Sequence, residues 1–264
     1  MGEYPNLNDF YPHQAIVRQI KNSWHKEWVS IKEAKRALQK EGQSLVEMLT
    51  KAPLPTEYGD FTYMTFGDKT TGDHHDLLVY GHIDNGSLGD GENVLLRMHS
   101  ACATSERYHA LNCECREEMQ EALTHIAREG RGAFLYLQQE GRGTGVYGKG
   151  YQLNGMFKWE DGRIVQKRNG NGDLVDTDTA YKEAGFPSEC RDFDVAGEIL
   201  RIAGFKSVRL VTNNPRKIKG IESAGIRVEQ VEIHIKPANG IIANDLRSKA
   251  LNLGHTINKE HWSL

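Results

Sequence analysis

Three cysteines fall within one short stretch of this chain. Cys102, Cys113 and Cys115 lie in HSACATSERYHALNCEC with the spacing C-x10-C-x-C, and the whole sequence holds only four cysteines. Clustered thiolates are ligands for a soft divalent metal, and zinc suits such a set. Zinc takes three or four of these ligands, and a hydrolytic zinc keeps one tetrahedral position open. Three cysteines with no obvious fourth ligand point to a hydrolytic centre. A structural knuckle completed by His99 or His109 is the alternative. A zinc deaminase would show H-x-E followed by P-C-x-x-C. Here His99 is followed by Ser100 and Ala101, and the cysteine pair is C-x-C, so that chemistry is disfavoured. Cys190 stands alone and reads as a small buried residue as readily as a functional one.

Three further groups carry polar chemistry. Glu140, Gly141 and Arg142 open the glycine-rich segment EGRGTG at 140–145. It lacks the Lys-Ser/Thr end of a P-loop and the spacing of a dinucleotide fingerprint. Coming off a buried strand, with Arg142 and Lys149 at hand, it could wrap an anionic ligand. Residues 208–219 combine a strand, an Asn-Asn turn and a helix start with Arg216, Lys217 and Lys219. Free backbone N–H groups and cations of that kind make a phosphate site, and an ordinary basic helix face reads the same way. In GFPSECRDFD, Glu189 stands two residues from Arg191. The two are either a surface ion pair of little consequence or a site pair dividing proton transfer and phosphate contact.

The elements that must position these groups follow from periodicity. Trp24 to Leu49 carries apolar residues at helical spacing among many Lys and Glu, which predicts one or two amphipathic helices. Strands are expected at Asp60–Phe66, Leu77–Ile83, Val94–His99, Ala133–Leu137 and Val208–Val211. Glu114–Glu129 should be a helix stopped by Gly130. Residues 138–151 read as a Gly-rich loop. Residues 156–175 should contain a hairpin turning at Asp161–Gly162. Phe193–Ala203 should be a helix capped by Asp194, and Pro215 should open the next one. The fold class is α+β: a mixed sheet core with packed helices.

Composition narrows the function classes. With 264 residues, 38% hydrophobic and 26% charged, the chain suits one large globular domain or a domain with an appendage. A net charge of −3 provides no global basic field for nucleic acid. No apolar run is long enough for a membrane helix, and the first residues lack a signal-peptide pattern. Thiols in a C-x-C are then expected to be metal ligands in a reducing cytoplasm.

Taken together, LPTEYGDF, GDHHDLLVYGHIDNG, RMHSAC, NCEC, GRGAFLYLQQEGRGTG, GFPSECRDF, RLVTNNPRK and NDLRSKALNLGH resemble the GTP cyclohydrolase II family over about residues 48–258. The resemblance implies a catalytic domain at 48–264 behind an N-terminal helical extension at 1–47. It implies opening of the imidazole ring of GTP, with release of formate and pyrophosphate. Cys102, Cys113 and Cys115 would bind zinc. Arg97, Glu118, Glu140, Gly141, Arg142, Thr212 and Lys217 would contact the nucleotide. Tyr151 would assist ring opening, Arg191 would act at the α-phosphate, and Glu189 would serve as a general base. Magnesium would neutralise the triphosphate, and the protein would be a cytoplasmic homodimer.

The chain departs from the family pattern at several of these positions. Ala101 replaces a glutamate, Arg116 a glycine, Glu118 a glutamine and Glu189 an aspartate. Extra residues lie between Tyr151 and Asp176, where insertions tend to form lids. An acceptor-only carboxylate at 118 cannot donate as an amide does, so base recognition is expected to differ. Three functions follow: ring opening of GTP, ring opening of another nucleotide such as a uridine phosphate, or nucleotide binding around a structural zinc.

Overall fold

The computed structural model describes residues 26, 29–84 and 87–262. A seven-stranded mixed sheet runs in the order β1-β2-β3-β7-β6-β10-β11. Its strands are β1 (Val46–Thr56), β2 (Gly59–Asp68), β3 (His74–Tyr80), β6 (Val94–Ser100), β7 (Gly132–Leu137), β10 (Ser207–Val211) and β11 (Arg227–Val231). A small ribbon, β4 (Ile83–Asp84) and β5 (Ser87–Leu88), and a hairpin, β8 (Phe157–Glu160) and β9 (Arg163–Gln166), complete the strands. One half of the main sheet is antiparallel, β1 through β3 to β7; the other, β7, β6, β10 and β11, is parallel. β6, VLLRMHS, sits inside the parallel half and is buried along nearly its whole length. A near-continuous apolar run is what a strand covered on both faces requires.

The helices are α1 (29–40), α2 (Ala103–Tyr108), α3 (Cys115–Glu129), α4 (Gly145–Met156), α5 (Thr177–Glu183), α6 (Asp194–Ile202), α7 (Pro215–Glu222) and α8 (Gly240–Leu253). α6 and α7 pack Ala196, Ile199, Leu200 and Ile221 onto Leu96, Met98, Leu135 and Leu210 of one sheet face. α3 packs Ala122, Leu123 and Ile126 onto Leu95, Phe134 and Val211 of the other. Adjacent residues of β6 therefore point into different cores, as the strand period of two demands. Among the described residues, no helix is long and apolar enough to cross a membrane.

Most expected elements are present, and the differences have physical causes. The predicted helix over 24–49 ends at residue 40, and residues 46–49 begin edge strand β1; residues 24, 25, 27 and 28 lie outside the described residues. Leu45 and Val46 are core residues of the sheet rather than of a helix stripe. Segment 29–45 is held to the body by charge: Lys35 pairs with Asp192 and with Asp194 at 2.7 Å, and Glu198 accepts from Ser44 Oγ at 2.6 Å and Leu45 N at 2.7 Å. Asp194 is the first residue of α6 rather than its cap, a position taken by Phe193.

The segment expected as a loop at 138–151 holds a 3-10 turn, Glu140–Gly143, and most of α4. Its glycines disfavour a helix by propensity, but close packing demands them. A Cβ on Gly148 would lie 2.4 Å from Thr144 Cβ, and one on Gly155 would lie 3.0 Å from Ala180 Cβ. The Asp161–Gly162 turn forms as expected, with φ of 49° and 75°, the doubly positive turn that two-residue hairpins use.

α6 and α7 touch backbone to backbone. A Cβ on Gly220 would stand 2.5 Å from both Cβ and O of Phe193, and one on Gly197 would stand 2.6 Å from Gly220 O. Gly220→Ala should therefore push α7 off α6 and lower stability by about 1–3 kcal/mol. Urea unfolding measures the loss, and an unshifted midpoint would contradict this packing.

Candidate metal centre and anion-binding cavity

The parallel strands β6, β7 and β10 end at one edge of the sheet, and the chain leaves each of them into the same cavity. Ligand sites of open parallel sheets lie outside the carboxyl ends of their strands for this reason. β6 delivers Cys102 directly into the start of α2. α2 closes at His109, whose φ of 54° turns the chain back. The chain then brings Cys113 and Cys115 to the N-terminus of α3. Ser105 Oγ accepts from Arg116 N at 3.1 Å and ties the two short helices together.

The three sulfurs lie within 4.8 Å of one another, and those of Cys102 and Cys113 are 3.7 Å apart. Thiolates at about 2.3 Å from a tetrahedral zinc stand about 3.8 Å from each other. The set therefore fits the ion that its chemistry suggests. Neither histidine offered as a fourth ligand joins it. His99 is buried and its Nε2 lies 2.9 Å from Glu106 Oε1, while His109 is exposed on the turn.

Glu106 braces the metal loop, a role the sequence alone did not disclose. One carboxylate oxygen accepts from Cys102 N at 2.9 Å and faces His99; the other accepts from Tyr136 OH at 2.6 Å. Lys149 Nζ lies 3.8 Å from Cys102 Sγ. Hydrogen bonds from the Cys113 and Cys115 thiols lower Cys102 against its burial, and Lys149 helps. Hydrogen bonding to Cys102 raises Cys113 to about 12, and raises Cys115 as well.

The 140s turn is the second wall. Gly141, Arg142 and Gly143 are all left-handed, with φ of 60°, 57° and 84°. A non-glycine residue adopts that conformation only when its surroundings enforce it. Glu140 reaches back to accept from Ala103 N at 2.5 Å, fixing this wall to the metal loop. A Cβ on Gly143 would lie 2.8 Å from Arg191 N, so only glycine lets the turn close onto the 190–191 segment. Cys190 N donates to Arg142 O there, at 2.9 Å.

The third wall is cationic. Arg97, nearly fully buried on β6, donates to Val211 O at 3.0 Å and to Glu118 Oε2 at 2.6 Å. Burial alone would raise Glu118, but Arg97 and then Lys249 outweigh it and hold it at about 2. Lys217, on the first turns of α7, donates to Met98 O at 2.7 Å. Burial, then the charges of Arg97 and Arg191, push its ammonium well below the ordinary lysine value. An arriving anion would reverse that shift. Thr212 and Asn214 sit on the adjoining turn, where Asn214 caps α7 and accepts from Arg216 N at 3.0 Å.

Eleven of the thirteen residues singled out from the sequence line this single cavity, among them the seven nucleotide-contact candidates and the three cysteines. Arg191 lines it too. Glu189 stands behind Arg191, bonded to its Nε at 2.8 Å and to its terminal nitrogen, and Arg191 outweighs burial to hold that carboxyl at about 2. Tyr151 is also outside the cavity wall; its hydroxyl is 3.2 Å from that of Tyr147 and its ring packs beside Phe186. None of the residues 156–175 lines the cavity. The C-terminal helix adds residues that sequence reasoning passed over. Lys249 pairs with Glu114 at 2.5 Å and Asp245 at 2.9 Å. Their i,i+4 spacing in NDLRSK is visible in the sequence but reads as an ordinary surface pair until α8 is docked.

Fold and site together define an α+β protein in which a three-cysteine cluster able to hold a metal ion shares a cavity with a cationic wall. The chain belongs to the GTP cyclohydrolase II family, whose sequence pattern matches residues 47–232. GTP cyclohydrolase-2 of Pseudomonas putida (strain W619) is 38% identical over 219 residues, covering 82% of this chain and 96% of that protein. The riboflavin biosynthesis protein RibBA of Phocaeicola vulgatus is 36% identical over 242 residues, 91% of this chain and 54% of its own. That of Chlorobium phaeovibrioides is 33% identical over 244 residues, 92% and 54%. The chain thus spans about half the length of these two RibBA proteins.

Metal binding here is linked to protons. Burial and their shared hydrogen bonds raise Cys113 and Cys115, so a metal ion bound by all three sulfurs would expel their protons. Affinity must therefore rise with pH, by on the order of 100-fold per unit for about two protons released. Chelator competition at pH 6.5 and 7.5 measures it, and a pH-independent affinity would contradict the assignment.

Proposed function

We propose that this protein is a zinc-dependent hydrolase that opens the ring of a nucleotide base, with GTP as substrate and formate and pyrophosphate among the products. The observation that carries this reading is the placement of the three-cysteine cluster and the cationic wall in one cavity. A triphosphate held at Lys217 and Arg191 leaves the base to extend toward the sulfurs. Membership of the family supports the same substrate, as does the name of the Pseudomonas relative.

Cys102, Cys113 and Cys115 would hold the zinc, which supplies Lewis-acid activation of water for attack on the ring. The chain's own residues do the rest. Lys149 holds positive charge against the Cys102 sulfur. Glu140 ties this wall to the metal loop through its bond from Ala103 N, and burial raises its carboxyl above the ordinary value. Arg97 and Glu118 present a fixed donor–acceptor pair to the nucleotide, and Thr212 lies on the turn beside Lys217. Arg191, oriented by Glu189, faces the phosphates; in this geometry Glu189 acts through Arg191, and a general-base role would require that pair to part. Tyr151 stands behind the wall and is assigned no step. Magnesium would come in on the phosphates and offset their charge. A homodimer in the cytoplasm is part of the same reading, and sedimentation of the purified chain tests the dimer.

Zinc-loaded protein with magnesium should convert GTP to formate and pyrophosphate, followed by mass spectrometry. Cys113→Ser should abolish ring opening while nucleotide still binds through the Lys217 wall. Undiminished turnover in that variant would refute a catalytic metal. Ring opening of a uridine phosphate with GTP left untouched would retain the chemistry and replace the substrate.

A further inference from the structure

On the cavity wall formed by α8 and the 140s turn, two charged groups face each other without bonding. Arg142 Nη2 and Asp245 Oδ1 stand 3.8 Å apart, with side chains only 9% and 3% exposed. That distance is too long for a hydrogen bond, and neither atom has any hydrogen-bond partner. The rest of each side chain is already held. The other terminal nitrogen of Arg142 donates to Ser188 O at 3.3 Å, and its guanidinium lies over the Tyr181 ring at 5.6 Å. The other oxygen of Asp245 is paired with Lys249 at 2.9 Å. What remains is one terminal guanidinium nitrogen and one carboxylate oxygen, both buried, side by side in the wall of the same cavity.

A ligand that meets both must carry an acceptor next to a donor. The place of the pair says which part of a nucleotide that is. Lys249 bridges Asp245 to Glu114, and Glu114 is the residue between Cys113 and Cys115. Glu140, two residues before Arg142, is bonded to the residue after Cys102. The pair is thus coupled to the metal loop from two directions, on the side where a base would be opened. We propose that Arg142 and Asp245 together read the lactam edge of the base, Arg142 donating to the ring carbonyl and Asp245 accepting from the adjacent ring N–H. Guanine, hypoxanthine and uracil present that edge; adenine and cytosine present donor and acceptor in the reverse order. Nothing in the chain's motifs marked Asp245 for this part. Lys249 and Arg142, acting against burial, keep it ionised and therefore an acceptor. The inference rests on the reading of the cavity as a nucleotide site.

The test is nucleotide affinity of the full-length chain, by calorimetry in chelator so that nothing is consumed, and by competition with GTP turnover in the zinc-loaded protein. GTP and ITP should bind about 10- to 100-fold more tightly than ATP, the range expected for a bond to a charged group. N1-methyl-GTP, which lacks the ring donor, should fall to the level of ATP; this arm needs no variant. Asp245→Asn, whose amide can turn either polarity inward, should bring GTP and ATP to near parity while inorganic triphosphate binds as before. Equal binding of GTP and N1-methyl-GTP would overturn the proposal, as would an unchanged GTP-to-ATP ratio in Asp245→Asn. A ratio preserved for the base but lost between ribose and 2′-deoxyribose would assign the pair to the sugar instead. Failure of every nucleotide to bind would instead overturn the parent reading of the cavity.

Discussion

Charge taken out of water must be matched where it is buried, and this cavity buries a great deal of it. Arg97, Glu114, Lys217 and Asp245 are all under 7% exposed; the first three are bonded to elements distant in sequence, and Asp245 to Lys249 of its own helix. Leaving any one unpaired would cost several kcal/mol. The pairing therefore dictates how the elements dock. Lys249 can satisfy both Glu114 and Asp245 only if α8 lies against the metal loop. Arg97 can satisfy Val211 O and Glu118 only if β10 and α3 flank β6. The site is thus not an addition to the fold: its ion pairs connect α3, α8 and the parallel half of the sheet, while the apolar clusters on the two sheet faces supply the general drive to collapse.

The same pairing leaves a deliberate shortfall. Arg142 Nη2, Asp245 Oδ1 and Glu114 Oε2 are buried without hydrogen-bond partners, and all three residues line the cavity. Natural structures seldom leave buried polar atoms unmet outside functional sites. Lys217 donates to Met98 O, yet burial and the charges of Arg97 and Arg191 depress its ammonium. A ligand that meets these groups gains because the protein has already oriented them and removed their water. The left-handed Arg142 and the close approach of Gly143 to Arg191 are the backbone side of that arrangement.

How much of this the sequence discloses depends on whether a feature is local. The C-x10-C-x-C spacing is local, and the fold brings its three sulfurs together. Strand runs such as VLLRMHS and the helix stop at Gly130 are local too, and both form as expected. The 138–151 segment reads as a loop by propensity, but Gly148 inside it packs against Thr144, and Gly155, further along the same helix, against Ala180, which a propensity argument cannot see. The helix pattern at 24–49 ran too far for a related reason: Leu45 and Val46 owe their burial to the sheet, not to a helix stripe. The roles of Glu106 and Asp245 are not legible in the sequence because Tyr136 and Arg142 come beside them only in the folded chain.

The metal loop shows why the cluster needs neighbours as much as ligands. Three thiols brought together share their protons unevenly, with the negative charge drawn to Cys102 by its two companions and by Lys149. That sulfur is also the one whose backbone N–H is held by Glu106, and whose following residue is held by Glu140. Cys102 is thus tied through its own N–H and that of the next residue, while Cys113 and Cys115 lie on the turn into α3. These three sulfurs would hold a metal ion, which would supply Lewis-acid chemistry there. The Glu140 bond links that loop to the turn carrying Arg142, so the order of the metal loop and the order of the wall opposite it depend on one carboxylate.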